Sequence, residues 1–166
     1  MKIIGVVGWK NTGKTTLIEK LISEFNNRNL TVSTIKHSDH NFSVDREGTD
    51  SFRHFNAGTK ETILASEQKW IKFSRQRAEA KPILSYLIEQ IIPVDIVIVE
   101  GFKASDHKKV EVLDSTSDSK PLYETDRTIC GLIINRHKIQ NAALPQFGRD
   151  QVQEICDFIA STLRIK

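Results

Sequence analysis

Cysteine is nearly missing from this chain: Cys130 and Cys156 are the only two in 166 residues. Two thiols cannot build a disulfide framework or a four-cysteine zinc site. Their scarcity fits a reducing compartment. Aromatic residues make up 7% of the chain, and no aromatic stripe alternates with basic residues. The pattern of a nucleic-acid platform is therefore not there. No apolar run approaches the ~20 residues of a membrane span. Met1 to Val7 lacks the long apolar stretch and cleavage site of a secretory signal. Neither sign of charge dominates, since 24 Lys and Arg face 21 Asp and Glu, for a net +3. Nor does the chain show an internal repeat or a Pro/Gly/Ser-rich linker. These absences predict one globular cytoplasmic domain over residues 1–166, with no membrane and no nucleic acid among its partners. A chain of this length buries enough surface to fold without a structural metal.

What is there is an alternation of strands and helices. Ile3 to Val7 is a short apolar run that ends at Gly8, the signature of a buried strand. Ile18, Leu21, Ile22 and Phe25 fall on one face of a helix from about Lys14 to Arg28. Thr31 to Lys36 reads as a second strand, and His37 to Gly48 as a polar loop. Thr49 or Asp50 caps a short helix that stops near Gly58. Two short strands, Thr62–Ala65 and Trp70–Phe73, predict a hairpin insertion at about 60–75. Ile83, Leu84, Leu87, Ile88 and Ile91 mark a helix with Pro82 in its first turn and Pro93 as its breaker. Asp95 to Glu100, Lys109 to Leu113 and Ile129 to Ile134 are further strands. A polar loop is expected from Asp114 to Thr125. A last helix buries Val152, Ile155, Cys156, Ile159 and Leu163. The order predicts an α/β fold with a mostly parallel sheet, helices on both faces and the hairpin inserted; together with the glycine loop Gly8–Thr15 that follows the first strand, this is the three-layer P-loop NTPase fold.

Gly8-Trp9-Lys10-Asn11-Thr12-Gly13-Lys14-Thr15 matches G-x-x-x-x-G-K-[ST] at every fixed position. The glycines let the backbone curl so that its N–H groups point at phosphate oxygens. Lys14 is placed for the β- and γ-phosphates, and the Thr15 hydroxyl for Mg²⁺. The helix that follows aims its positive end at the same anion. Thr16 either meets the α-phosphate or caps the helix. The strand Ile96–Val99 ends in Glu100-Gly101. An acid at the carboxyl edge beside a phosphate loop can hold a Mg²⁺-bound water.

The polar stretch after the second strand offers more chemistry. Asp50 or Asp45 can assist Mg²⁺ or position water, which makes Asp50 the one candidate catalytic group. Lys36, Arg46 and Arg53 can meet phosphates. His37, Asp39 and His40 have a transition-metal reading, although no further ligands complete a site. Asn135 ends its strand where guanine-specific proteins carry N-K-x-D, but Arg136-His137-Lys138 follows. Asn135 faces a base or merely closes a turn, and these residues leave GTP and ATP both open.

Taken in order, the blocks resemble a known family. They are Gly8 to Thr16, Ile35-Lys36-His37, Asp45, Gly48-Thr49-Asp50-Ser51, Arg53-His54, Ala57-Gly58, Val97 to Lys103 and Lys109 to Val112. Over roughly residues 2–135 the chain looks like the molybdopterin-guanine dinucleotide biosynthesis adapter family, MobB. The resemblance implies a GTP- and Mg²⁺-binding protein with weak or no hydrolysis. It also implies a homodimer that assists the molybdenum cofactor guanylyltransferase and handles molybdopterin. By the match Gly8 to Thr16 take the phosphates, and Asp50 and Glu100 stand on the Mg²⁺ side. Lys36, His37, Arg53, His54 and Lys103 line the same cleft. The chain departs from the family pattern at Trp9-Lys10, at Glu47 and at Asp39-His40.

Two other classes share these features. A small-molecule kinase would use Arg75, Arg77 and Lys81 as a lid over the phosphates. A metallochaperone GTPase would present a Cys or His cluster, but both cysteines fall at core positions. Gly101, Phe102 and Lys103 follow the phosphate-side acid, with no glutamine to orient water. Any turnover is therefore expected to be slow, below ~0.1 s⁻¹ without a partner.

Overall fold

The computed structural model describes residues 1–38, 45–75, 83–114, 119–135, 138–140 and 142–165. The chain forms two compact units, Met1–His37 with Leu84–Lys166, and Ser38–Ile83.

The first unit is built on a six-stranded sheet in the order β2-β5-β1-β6-β7-β8, and every pairing in it is parallel. Its strands are β1 (Lys2–Val7), β2 (Val32–Lys36), β5 (Ile96–Glu100), β6 (Lys109–Leu113), β7 (Ile129–Ile134) and β8 (Gln146–Gly148). The long β-branched runs explain why the central strands are buried on both faces. Val6 lies opposite Glu100, and Lys36 lies opposite Glu100 from the other side. The carboxyl ends of β1, β2 and β5 therefore finish level with one another. A side-chain latch fixes the β2 edge: the Thr31 backbone N–H and hydroxyl both donate to Asp95 Oδ2, at 2.7 and 2.6 Å.

Helices α1 (Lys14–Asn27) and α4 (Val152–Leu163) cover one face. Leu21, Phe25, Ile155 and Ile159 are fully buried there against Ile4, Val6, Ile98 and Val110. Each such side chain contributes roughly 1.5–3 kcal/mol of burial. Arg28, at the end of α1, bonds to both Glu24 and Asp157, so one guanidinium ties α1 to α4. Cys156 is fully buried in this cluster and Cys130 packs partly against it, as their positions in the sequence predict. Burial pushes the Cys156 thiol up to about 12.

The opposite face is shared. Helix α3 (Leu84–Glu89) packs Leu84, Leu87 and Ile88 on Val97 and Val99. This helix is shorter than the apolar periodicity suggests, and Ile83 stays 66% exposed. Ile83 adjoins the buried Leu84 rather than sharing its face. Pro82 lies outside the described residues. Loops cover Val7, Leu113, Leu132 and Ile134. The polar loop after β6 contains a 3₁₀ turn, Leu122–Glu124. The fully buried Glu111 holds that turn by accepting the Leu122 and Tyr123 N–H groups at 2.7 and 2.8 Å. The buried Lys109 donates to Asp126 at 3.1 Å, and also to Ser105 and Thr128.

The second unit holds α2 (Asp50–Asn56) and the antiparallel hairpin β3 (Glu61–Ala65) with β4 (Trp70–Ser74). The hairpin falls within the predicted stretch. Thr49 is the cap of α2, accepting from Phe52 N at 3.3 Å. Arg75 lies over the Phe55 ring at 4.4 Å and bonds the Phe55 carbonyl. This cation of the supposed kinase lid is therefore committed within its own unit. Arg77 and Lys81, the rest of that lid, lie outside the described residues. Ile63, Leu64 and Trp70 are 63%, 47% and 60% exposed.

Half-buried His107 stands against Gly5, where an added Cβ would come within 2.5 Å of its Nε2. Neither ring nitrogen has a hydrogen-bond partner among the described residues. Burial, then the nearby Lys109, hold His107 below the ordinary histidine value, with Asp126 and Asp106 opposing. The unfolded chain therefore binds this proton more readily than the folded one. Stability should fall as pH drops below about 6.5 and level off once the folded imidazole is also charged. Urea midpoints measured from pH 7.5 to 5 should show this slope, and His107→Leu should flatten it.

Candidate functional site

The chain leaves β1 at its carboxyl end and curls at once. Gly8 has φ +144°, and a Cβ there would approach the Val112 carbonyl to 2.4 Å. Asn11 and Gly13 also adopt positive φ, at 63° and 84°. Thr12, buried, donates its hydroxyl to the Trp9 carbonyl at 2.9 Å and so braces the curl. Lys14 Nζ donates to the same carbonyl at 2.6 Å. Lys14 therefore arches over the loop that its own backbone leaves. Lys10, Asn11, Thr15 and Thr16 are exposed. No side chain caps α1, so Thr16 does not serve as the helix cap that its position allowed.

Charge converges at this edge. Glu100 and Lys36 end neighbouring strands, with Nζ and Oε2 3.3 Å apart. Burial lowers the Lys14 pKa; Glu100 opposes this, while Lys103 and Lys36 add to it. Three lysines and one carboxylate thus share the mouth of the loop, and an anion placed there relieves their mutual repulsion. Lys103 Nζ lies 4.4 Å from the Trp9 ring centroid, a cation–π distance. Gly101 turns the chain at φ +91°, where a Cβ would meet His37 Cβ at 2.9 Å. His37 then stacks on Phe102 with ring centroids 4.8 Å apart. Lys14, Lys36, His37, Glu100 and Lys103 accordingly belong to one corner of the first unit.

Asp50 and Arg53 belong to the second unit, where they face each other at 4.0 Å on exposed α2. Their assignment to Mg²⁺ and phosphate rests on the sequence alone. Asp39 and His40 lie outside the described residues. No cluster of three His, Cys, Asp or Glu side chains suited to a metal occurs among the described ones. Mg²⁺ does not need one, because it keeps its waters and takes few protein oxygens besides phosphates. The exposed Thr15 hydroxyl and the Glu100 carboxylate are hard-oxygen donors of the right kind.

The sequence reading missed Arg149. It follows β8, a strand of only three residues and too short to show as a pattern. Its Nη2 donates to the Leu113 carbonyl at 3.1 Å, and its Nη1 lies 3.1 Å from where a Gly13 Cβ would stand. A cavity of about 460 Å³ opens beside it, lined by Gly13, Thr16, Lys20, Asn135 and Asp150 among others. Lys20 and Asp150 pair across it at 2.8 Å. Asn135 follows β7 and donates to Asp114 at 3.3 Å. Arg136 and His137 lie outside the described residues.

A parallel sheet whose first strand feeds a glycine loop and a helix, with an acid ending the neighbouring strand, defines the P-loop NTPase class. The family model for molybdopterin guanine dinucleotide synthesis protein B (MobB) matches residues 3–135. The chain belongs to the MobB family. It is 38% identical over 164 residues to the molybdopterin-guanine dinucleotide biosynthesis adapter protein of Haemophilus influenzae, covering 97% of this chain and 89% of that one. The adapter protein of Escherichia coli is 29% identical over 171 residues, covering 98% and 93%. The crystal structure of Bacillus subtilis MobB aligns with a TM-score of 0.78 at 28% identity, over the full length of both chains. No helix among the described residues is long and apolar enough to cross a membrane.

Gly8 is the tightest point of the loop. Gly8→Ala should destabilise the chain by at least ~1–3 kcal/mol, from the clash with Val112 and the left-handed backbone. Urea unfolding checks this, and the loss should exceed that of Gly48→Ala, where nothing lies within 4 Å.

Proposed function

We propose that this chain is a GTP-binding adapter that assists the guanylyltransferase forming molybdopterin guanine dinucleotide. Its place in molybdopterin guanine dinucleotide biosynthesis follows from membership of the MobB family. One observation carries the nucleotide part: the curled loop Gly8–Thr15 sets Lys14 beside Lys36, Lys103 and Glu100. The backbone N–H groups and the start of α1 take the phosphates, with Lys14 at the β- and γ-phosphates. Thr15 and Glu100 hold Mg²⁺; for Asp50, in the second unit, the same role rests on the sequence alone. Mg²⁺ there neutralises phosphate charge. Lys36, His37 and Lys103 complete the phosphate end within the first unit; for Arg53, in the second unit, a phosphate role rests on the sequence alone. The cavity by Arg149 and Asn135 takes the base.

Hydrolysis is weak in this reading. The residues after Glu100 are Gly101, Phe102 and Lys103, with no glutamine among them to orient water. The liganded chain acts on a partner enzyme in the cytoplasm. It does so as a homodimer, for which Ile63 and Trp70, exposed on the same face of the hairpin, offer an apolar surface.

Calorimetry of wild type and Lys14→Ala with MgGTP tests the nucleotide site. Lys14→Ala should weaken binding at least tenfold, and wild-type turnover should stay below ~0.1 s⁻¹. Unchanged affinity would remove the phosphate-loop assignment. Light scattering should give a dimer that Trp70→Glu shifts toward monomer.

A further inference from the structure

Arg149 stands apart from the three lysines at the loop mouth. It meets Gly13 instead, at the wall of the cavity of about 460 Å³. Its backbone N–H donates to the Ile134 carbonyl at 3.2 Å and continues the β7–β8 ladder by one residue. Its Nη2 donates to the Leu113 carbonyl at 3.1 Å. The preceding residue is held as well, because the Gly148 N–H donates to Gln151 Oε1 at 2.7 Å. Main chain and guanidinium are thus tied to the ends of two strands, and the planar fork is oriented in advance.

A guanidinium has five N–H donors and no acceptor. Nε is buried without a partner among the described residues. Nη1 makes no hydrogen bond with them either, and it lies 3.1 Å from where a Gly13 Cβ would stand. The absence of a side chain at Gly13 leaves Nη1 its place at the wall, and its N–H groups are the ones left for a ligand. The carboxylates nearby are engaged. Asp114 accepts from Asn135 at 3.3 Å, and Asp150 pairs with Lys20 at 2.8 Å.

This donor set decides which edge of a purine can be read. A carboxylate would read the N–H groups of guanine, whereas a guanidinium reads acceptors only. Guanine presents O6 and N7 as neighbouring acceptors, and adenine puts an amine where O6 stands. A fixed donor at that spot pairs with a 6-oxopurine. Against adenine two N–H groups would face each other unpaired, which is costly in a closed cavity. The volume lies within the range that holds such a ring.

We propose that Arg149 selects the base by donating from Nη1 to the O6 carbonyl of a 6-oxopurine, and that the 2-amino group of guanine is not read. This rests on the reading of the loop as a nucleotide site and names what that site accepts: inosine as well as guanosine nucleotides, and not adenosine nucleotides.

Calorimetry on the full chain with MgGTP, MgITP and MgATP tests it. ITP should bind within about threefold of GTP, and ATP at least about tenfold more weakly. Arg149→Met keeps an apolar stem and removes the donors. It should weaken GTP and ITP about tenfold each and leave ATP unchanged, so that selection collapses. Arg149→Lys should restore part of the GTP-to-ATP ratio. Lys14→Ala should weaken GTP and ITP together and keep their ratio, because it acts on the phosphates. The comparison of GTP with ITP needs no variant, so it holds whether or not Arg149→Met folds. ITP binding at least about tenfold more weakly than GTP would show that the 2-amino group is read, and would overturn the proposal. An equal loss of all three nucleotides in Arg149→Met would reduce Arg149 to a brace for the loop and overturn it too. Equal binding of GTP and ATP by the wild type overturns base selection and leaves the phosphate site standing. Binding of none of the three overturns both.

Discussion

Everything at the functional edge depends on the parallel register of three strands. β1 lies between β5 and β6, and β2 lies beyond β5. Because all run the same way, their carboxyl ends reach one edge, and their last residues meet without any long-range design of loops. Lys36 and Glu100 are partners because they sit opposite each other in the ladder. Gly8 lies under the Val112 carbonyl because β6 runs beside β1. A shift of one residue in β5 would turn Glu100 to the other face of the sheet. It would then lie away from Lys14 and α1. The charge pattern is thus a by-product of the parallel register of buried strands.

The same sheet carries buried charge at its centre. Lys109 and Glu111 lie in β6, both essentially fully buried. Each is satisfied by loop atoms rather than by the other. Lys109 holds the segments around Ser105 and Asp126, and Glu111 holds the 3₁₀ turn. A polar side chain buried with all its bonds made fixes a loop more specifically than an apolar contact does. Among the described residues no α-helix packs over β6 on this face, and the two side chains hold the loops that cover it. Residues whose unmet bonds would cost a few kcal/mol therefore define the shape beside the phosphate loop.

Much of this was legible in the sequence. The phosphate loop, the strand ending in Glu100 and the amphipathic α1 and α4 follow from short-range patterns, and the family resemblance from the blocks between them. The hairpin was legible from two short β-branched and aromatic runs. What stayed hidden depends on long-range pairing. β8 has three half-buried residues, too few to alternate, so Arg149 could not be placed beside Gly13. Lys109 and Glu111 read as ordinary strand residues, because nothing local says that a distant loop will cover them. The length of α3 was misjudged because Ile83 extends the apolar run without sharing its buried face.

The chain has two tryptophans, Trp9 and Trp70. One lies on the phosphate loop with a lysine ammonium over its ring, the other on the hairpin. Each unit thus carries its own indole, in a different electrostatic setting. Intrinsic tryptophan emission from this protein is therefore a sum of two signals, one from each unit. Removing either indole leaves a chain whose remaining fluorescence speaks for one unit alone.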